Sequence, residues 1–258
     1  MRKRLCLLLS LLLLAAMLGA CGGEPEESTI APVATQAPES PAAQEPAGEE
    51  PAGEEPDAAD GGPAEAERQL SLGSFSGSTY TNSYAGFGCT LDGSWTFADA
   101  QQLQQLTEAS AGLVSEADVE NYFSTTNTTS LTDMYAESSE MMATVNVLYS
   151  KVSVAERLAY STLDEEGVID ATLAQSEQLK SIYESMGVSI TSTEKVLVNF
   201  LGEEHYAMKT VTDTGGVAGY MLQFIDPFRG SYSITTTIVC YGQDNTQAVA
   251  DMFFPVEG

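Results

Sequence analysis

The sequence predicts an α+β domain over residues 69–258, in which a single antiparallel β-sheet is covered by amphipathic helices. Two observations support this class. Several segments alternate apolar with polar residues and are separated by short turns, which is typical of neighbouring antiparallel strands. One long segment instead repeats apolar residues every three to four positions, which is typical of an amphipathic helix. About 190 residues are enough for one such domain with its own core.

The first half of the domain is predicted to hold short strands and two helices. Asp99 can cap the first helix, and Ser115 with Asp118 resembles a capping box at the start of the second. Val145 and Val147 alternate with polar neighbours, which indicates a strand. The predicted order is two strands within residues 80–91, a strand at Trp95–Phe97, helices at 99–112 and from 115, and a hairpin of residues 134–136 with 141–152.

The second half contains the clearest helix and four successive strands. The helix is predicted at residues 164–186, because Asp164 can cap its start and Gly187 can end it. A last short helix is predicted at residues 246–254. Short turns between successive strands imply an antiparallel meander, which the helices must cover. The four strands are predicted at residues 195–201, 205–212, 219–224 and 231–241.

The N-terminal residues predict secretion and a lipid anchor. Three basic residues precede an apolar run over residues 5–18, which is shorter than the roughly 20 residues of a spanning helix. The segment Leu18-Gly19-Ala20-Cys21 resembles the lipobox of bacterial lipoproteins. The resemblance implies cleavage of a signal peptide at residues 1–20 and a diacylglycerol thioether on Cys21. The alternative is an ordinary secretion signal whose cleavage site adjoins a cysteine.

Residues 21–68 are predicted to be a disordered acidic tether. Pro, Ala, Gly and Glu dominate this segment, which has 13 acids and one base and cannot bury enough apolar surface to fold. The whole chain has a net charge of −27, which becomes −30 without the three bases of the signal peptide. Residues 69–258 hold 24 acids and six bases. This balance argues against nucleic acid and anionic lipid as direct partners, because both require basic patches.

The predicted element order, together with three short motifs, resembles the PsbP-like α/β/α sandwich. The motifs are Tyr80-Thr81-Asn82, Gly86-Phe87 and Asp92-Gly93-Ser94-Trp95. They look especially like lipoproteins of that group from Gram-positive bacteria, and the resemblance covers residues 78–254. Asp92 stands where the family often has proline. Members so placed serve as accessory or binding proteins, so the resemblance implies a binding role and supplies no catalytic residue.

Two cysteines remain in the domain once the signal peptide is removed and Cys21 is acylated. The alternation of their neighbours directs both Cys89 and Cys240 towards the core. An extracytoplasmic location permits a Cys89–Cys240 disulfide. Two buried free thiols, which behave as small apolar side chains, are the alternative.

Few residues offer catalytic or metal-binding chemistry. His205 is the only histidine, so no metal site is predicted, and no cofactor is expected. It is either a residue at a strand edge or a catalytic base. The acidic runs Asp164-Glu165-Glu166 and Glu203-Glu204 could supply carboxylates for glycoside hydrolysis, or only cap a helix and face solvent.

Two groups of aromatic residues are candidates for ligand binding. Tyr80 and Trp95 lie near the first turns of the domain, and Phe228 and Arg229 lie in a predicted loop at residues 224–230. Packing in the core is the alternative for each, because aromatic residues next to strands are usually buried.

These observations predict a lipid-anchored protein on the extracytoplasmic face of the cell membrane, acting as a non-enzymatic binding or accessory module. Its membrane contact is the lipid on Cys21, and its partner is an unidentified envelope protein or small ligand. The alternative is a cell-envelope hydrolase that uses carboxylates or His205. Two carboxylates about 5–10 Å apart in a cleft would favour the hydrolase.

Overall fold

Two antiparallel β-sheets of unequal size form the scaffold of the described part of the protein. The computed structural model describes residues 70–99, 102–103, 123, 129–185, 187–229 and 231–256, with the side chains of all of these except 177–179, 182 and 227–229. The strands are β1 Ser74–Ser76, β2 Thr79–Asn82, β3 Phe87–Thr90, β4 Trp95–Phe97, β5 Ser130–Ser138, β6 Ala143–Lys151, β7 Ser189–Phe200, β8 Glu203–Thr214, β9 Val217–Arg229, β10 Tyr232–Tyr241 and β11 Phe253–Pro255. The helices with both ends described are α1 Val154–Tyr160, α2 Glu165–Leu173, α3 Ser176–Ser185 and α4 Thr246–Ala250.

The two sheets share one apolar core. The large sheet has the order β4-β5-β6-β10-β9-β8-β7, and the small sheet has the order β1-β2-β3-β11. Because side chains of a strand alternate between its faces, Val145 of β6 and Ile238 of β10 point to the same side. There they join Tyr80 and Cys89 of the small sheet, and Val249 of α4, in a single buried cluster.

Helices α2 and α3 cover the opposite face of the large sheet at its β7–β9 end. Val196 of β7 packs against the core, so its neighbour Lys195 points to the opposite face. There the Lys195 ammonium forms ion pairs with two carboxylates of α2, at 2.8 Å to Glu166 and 2.7 Å to Asp170. Tyr183 of α3 is buried above the same face. The β7–β9 end of the large sheet is therefore covered by helices on the face opposite the shared core.

The α+β class is confirmed, but the prediction of a single sheet is wrong. After the predicted turn at Asp92-Gly93, the chain leaves the small sheet, and Trp95 of β4 pairs with Ser138 of β5. The predicted hairpin and the meander of four strands are confirmed, with strand bounds that differ from the predicted ones. Alternation identifies a strand, whereas its membership of a sheet depends on hydrogen bonds to residues far away in the chain.

The long helix predicted at residues 164–186 is two helices, α2 and α3, separated at residues 174–175. Its ends agree with the prediction, since Asp164 caps α2 and Gly187 follows α3 with a φ of +77°. The break follows Thr172, whose hydroxyl donates to the carbonyl of Val168 at 2.9 Å. Hydrogen bonds of this kind often bend helices, and the interruption that follows contains neither glycine nor proline.

Helix α1 and the end of the chain also differ from the prediction. Helix α1 was missed, although Ser153 and Glu156 form the capping box that its sequence spacing indicates. The segment predicted as a helix at residues 246–254 is the shorter α4 followed by β11. Phe253 of β11 pairs with Cys89 of β3, so the end of the chain completes the small sheet.

Several sequence predictions lie outside the described residues. These are the signal peptide at 1–20, Cys21, the tether at 21–68, and most of the helices predicted at 99–112 and from 115. The start of the first of these helices is described, and there Asp99 and Gln102 exchange two hydrogen bonds of 2.8 Å, as expected of a cap. Of the helices in the described ranges, none has the length and apolar character needed to cross a bilayer.

Candidate functional site

A cavity of about 430 Å³, here called the α2 cavity, lies where α2 begins beside one end of the large sheet. Its buried side is aromatic and aliphatic, formed by Phe87, Phe200, Phe224 and Ile234. Its more exposed side is polar and is formed by three carboxylates and a histidine. These are Asp164, Glu165, His205 and Asp226.

The turn between β7 and β8 places two of the lining residues. Leu201 and Gly202 both have positive φ values, 56° and 87°, as in the tightest hairpin turns. Leu201 itself lines the cavity, and the left-handed conformation is costly for a leucine. The turn brings the rings of Phe200 and His205 to 5.9 Å, nearly perpendicular to each other. A strained residue at this position is notable because strain tends to concentrate at functional sites.

The aromatic side of the α2 cavity joins separate elements of the fold. The ring of Phe200 stacks on that of Phe224 at 3.9 Å with an angle of 12° between the planes. Phe87 of the small sheet meets Phe200 edge-on at 6.2 Å. These rings, drawn from β3, β7 and β9, form a rigid apolar surface beside the polar residues.

The polar side is organised by the first turn of α2. Asp164 accepts a hydrogen bond from the backbone N–H of Gly167 at 2.9 Å and so caps the helix. Glu165 Oε1 lies 2.8 Å from His205 Nδ1, which ties α2 to β8. Asp226 enters from β9, opposite Ile234 of β10. No lysine or arginine occurs among the described residues that line the cavity.

A second polar cluster, here called the Asp133 cluster, is buried between the sheets and does not line the α2 cavity. Asp133 accepts hydrogen bonds from the hydroxyl of Tyr80 at 2.5 Å, from Asn82 Nδ2 at 2.7 Å and from the backbone N–H of Gly73 at 3.0 Å. Burial, followed by the charge of Asp133, raises the pKa of Tyr80 well above its usual value. A buried carboxylate with several donors is a structural feature, because an unpaired charge in a core would be very costly.

The two predicted binding residues whose side chains are described, Tyr80 and Trp95, are both buried outside the α2 cavity. Tyr80 belongs to the Asp133 cluster, and Trp95 is buried in the core, so neither lines the α2 cavity. Residues 224–229, predicted as a loop, form the end of β9 instead. The side chains of Phe228 and Arg229 lie outside the described ones, as does Cys21. The structure has both Cys89 and Cys240 as free buried thiols, which is the second of the two alternatives.

The α2 cavity brings together features that lie far apart in the sequence. The acidic run at Asp164, the histidine at position 205 and the segment that begins at Phe224 all border it. Phe200 and Leu201 were missed as site residues, although Gly202 between two predicted strands indicated a tight turn beside them. Within the described ranges, no group of three or more His, Cys, Asp or Glu side chains could hold a metal ion.

Comparison with known proteins identifies no family. No protein-family model and no curated protein matches the chain. Among solved structures it is similar to the solution structure of the cyanobacterial PsbP protein (CyanoP) from Synechocystis sp. PCC 6803, with a TM-score of 0.37 and 12% identity, over 76% of this chain and 98% of that chain. At this TM-score the similarity carries no argument about function, and the PsbP-like relationship stays a prediction.

Proposed function

We propose that the protein is a lipid-anchored, non-enzymatic binding module on the extracytoplasmic face of the cell membrane, and that the α2 cavity is its ligand site. The lipid on Cys21 would hold the chain at the membrane, and the acidic tether would keep the folded domain away from the lipid surface. The observation that carries the binding role is the α2 cavity itself. Its volume of about 430 Å³ falls in the range of small-molecule sites, which are mainly apolar with a few convergent polar groups.

The first experiment tests ligand binding in the α2 cavity. A library of small neutral, cationic and anionic aromatic compounds would be screened by saturation-transfer NMR against the wild-type protein and two variants. Leu163→Trp places a large ring at the exposed side of the cavity, where Leu163 is 39% exposed. Leu158→Trp makes the same change on α1, where Leu158 is 75% exposed and does not line the cavity.

Compounds that bind the wild type and Leu158→Trp, but not Leu163→Trp, would support the proposal. Binding that all three proteins retain would place the ligand elsewhere. An absence of binding throughout the library would contradict a small-molecule site. Circular dichroism and thermal melting of both variants would show that a lost signal is not a lost fold.

The second experiment tests the anchor. Cys21→Ala removes the thiol that would accept the lipid, so the mutant is expected in the soluble fraction or as an unprocessed precursor in the membrane fraction. Mass spectrometry of the wild type should show an acylated Cys21 as the first residue. A Cys21→Ala protein that is cleaved normally and still fractionates with membranes would contradict the lipid anchor.

One observation favours the hydrolase as a second candidate. Glu165 and His205, 2.8 Å apart, resemble the carboxylate–histidine pair that orients a general base, and Thr236 supplies a hydroxyl to the same cavity. Asp164 already caps α2, so its carboxylate is less available for catalysis, and this favours the binding role. Hydrolysis of p-nitrophenyl esters or glycosides that His205→Gln abolishes, and that the distant Glu194→Gln retains, would favour the hydrolase.

A further inference from the structure

The α2 cavity has a strong bias of charge. Its described lining residues include three carboxylates, Asp164, Glu165 and Asp226, against a single histidine. Even if His205 is protonated, this set remains negative. The carboxylates also come from two elements, α2 with its cap and β9, so negative charge borders the cavity from more than one direction. The domain as a whole adds to this field, since it has 24 acids and six bases.

The start of α2 does not offset this charge. The N-terminus of a helix ordinarily attracts anions through its unpaired N–H groups and dipole. Here Asp164 accepts the hydrogen bond of Gly167, and Glu165 and Glu166 occupy the first turn. The protein's own carboxylates therefore neutralise the one backbone feature that would attract an anionic ligand.

The buried side of the α2 cavity offers an apolar surface to a ligand. Phe200 is 5% exposed and Phe224 is 6% exposed, and their stacked rings lie beside Ile234. An aromatic or aliphatic group placed there would be removed from water, and a nearby cation would be attracted by the carboxylates. A small neutral polar molecule would use neither surface.

We infer that the ligand of the α2 cavity is an organic cation, a small amine that carries an aromatic or aliphatic group. Its ammonium lies on the side of the cavity that Asp164, Glu165 and Asp226 border, and its apolar group packs on the side formed by Phe200 and Phe224. This inference rests on the proposed binding function, because it names the chemical class of the ligand for the same site. A volume of about 430 Å³ accommodates one ring with a short chain.

Three probes with the same ring and similar chains test the inference. They are 2-phenylethylamine, the neutral 2-phenylethanol and the anionic 3-phenylpropanoate, titrated into the mature protein at pH 7 and low salt by isothermal calorimetry or NMR. The amine is expected to bind at least tenfold more tightly than the alcohol, and the carboxylate is expected not to bind. Exposed charges are strongly screened at about 0.5 M NaCl. Addition of this salt should therefore weaken binding of the amine and leave binding of the alcohol unchanged.

Charge-removing variants locate the cation. Asp164→Asn keeps the helix cap, because asparagine also caps well, and Asp226→Asn removes the carboxylate of β9. Each should weaken amine binding by about tenfold and leave binding of the alcohol within twofold. Glu194→Gln on β7, which removes one charge from an exposed residue outside the cavity, is the matched control and should change neither. Melting temperatures verify that each variant is folded.

The outcomes separate this inference from the proposed function. Equal affinities for the amine and the alcohol would overturn the inference, as would tighter binding of 3-phenylpropanoate. Either result would still support the α2 cavity as a ligand site. Amine binding that Glu194→Gln weakens as much as Asp164→Asn does would also overturn it, because attraction would then be due to the charge of the whole domain. If no probe and no library compound binds, both proposals fail.

Discussion

Tyr80 of the small sheet donates its phenolic hydrogen to Asp133 of the large sheet, with 2.5 Å between the two oxygens. Both residues are buried, with exposures of 0% and 2%. Because hydrogen bonds of ionised groups are stronger than neutral ones, this bond links the two sheets firmly. Asn82 and the backbone of Gly73 donate to the same carboxylate, so the Asp133 cluster also holds the segment that enters the domain.

Removal of the Tyr80 hydroxyl is expected to destabilise the fold. Tyr80→Phe deletes one donor to a buried carboxylate and should lower the free energy of unfolding by about 1–3 kcal/mol. Urea denaturation followed by circular dichroism measures this change. Tyr220→Phe, the same deletion at a half-buried position on β9, is the control and should stay within about 0.5 kcal/mol of wild type. Equal effects of the two variants would contradict a special role for the Asp133 cluster.

The position at which the chain starts should determine whether the domain is fully stable. A protein that begins at Leu70 is expected to melt within a degree or two of the mature chain, because residues 22–69 offer few large apolar side chains to a core, whereas Leu70 is buried at 3% exposure. A protein that begins at Ser74 loses Leu70 and the N–H of Gly73 that Asp133 accepts. Burial of a leucine contributes about 1.5–3 kcal/mol, so the melting temperature should fall by roughly 5–10 °C.

A substitution in the full chain checks that this effect is not caused by a new terminus. Gly73→Ala should also destabilise the domain, because its added Cβ would clash with the buried ring of Tyr80. Melting curves of all four proteins would be compared. A Leu70 start that melts many degrees below the mature chain would show that residues 21–69 contribute to the fold.

The two thiols of the domain should be free and unreactive in the native state. Burial raises the pKa of Cys89 to about 12 and that of Cys240 to about 11, so the nucleophilic thiolate is scarce. We expect no reaction with Ellman's reagent at pH 8 until guanidinium is added, and then two thiols per domain. A disulfide would give no thiols under either condition.

The same pKa values predict how alkali affects stability. The thiols of the unfolded chain ionise near pH 8.5, well below the native values, so the native state retains protons that the unfolded state loses. The free energy of unfolding should therefore fall as the pH rises from about 8.5 to 11. A Cys89→Ala, Cys240→Ala double variant, which removes both groups, should show a smaller fall. An identical fall would assign the alkaline sensitivity to other groups.

The lowered pKa of Asp244 predicts that the free energy of unfolding falls in acid. Burial disfavours its charge, but hydrogen bonds from Lys209 and Thr246 outweigh burial and hold the pKa of Asp244 below its usual value. Its contribution is therefore present above about pH 4, the value of an unfolded aspartate, and is lost as the pH falls through the native pKa.

Lys209→Met should thus cost about 0.5–1 kcal/mol at pH 7, the range of a partly exposed ion pair, and much less at pH 2.5. Urea denaturation at several pH values measures both differences, and Asp244→Asn should give the same profile. If Lys209→Met lowers the free energy of unfolding equally at pH 7 and pH 2.5, the loss is due to packing of the lysine side chain and not to the ion pair.

Local features of the fold could be predicted because short-range physics controls them. The cap at Asp164 and the stop at Gly187 depend only on the nearest turn of the helix, and both are confirmed. The hairpin around Val145 is also confirmed. It could be predicted because alternation and a turn are enough to specify a hairpin. Helix α1 was predictable in the same way, since the capping box at Ser153 lies within four residues.

Properties that join distant parts of the chain could not be predicted. The completion of the small sheet depends on β11 reaching β3, although more than 150 residues lie between Cys89 and Phe253. The α2 cavity needs Asp164, His205 and Asp226 on one side, and the Asp133 cluster needs Tyr80 beside a residue 53 positions later.

Periodicity, caps and turns therefore established the element types, most of their order and the α+β class from the residues alone. The choice of partners for each strand, and with it the position of every site residue, followed from packing. Such pairings close long loops, and their entropy cost is offset only when the whole core, from Leu70 to Phe253, is buried together. No single segment therefore determines which strands pair.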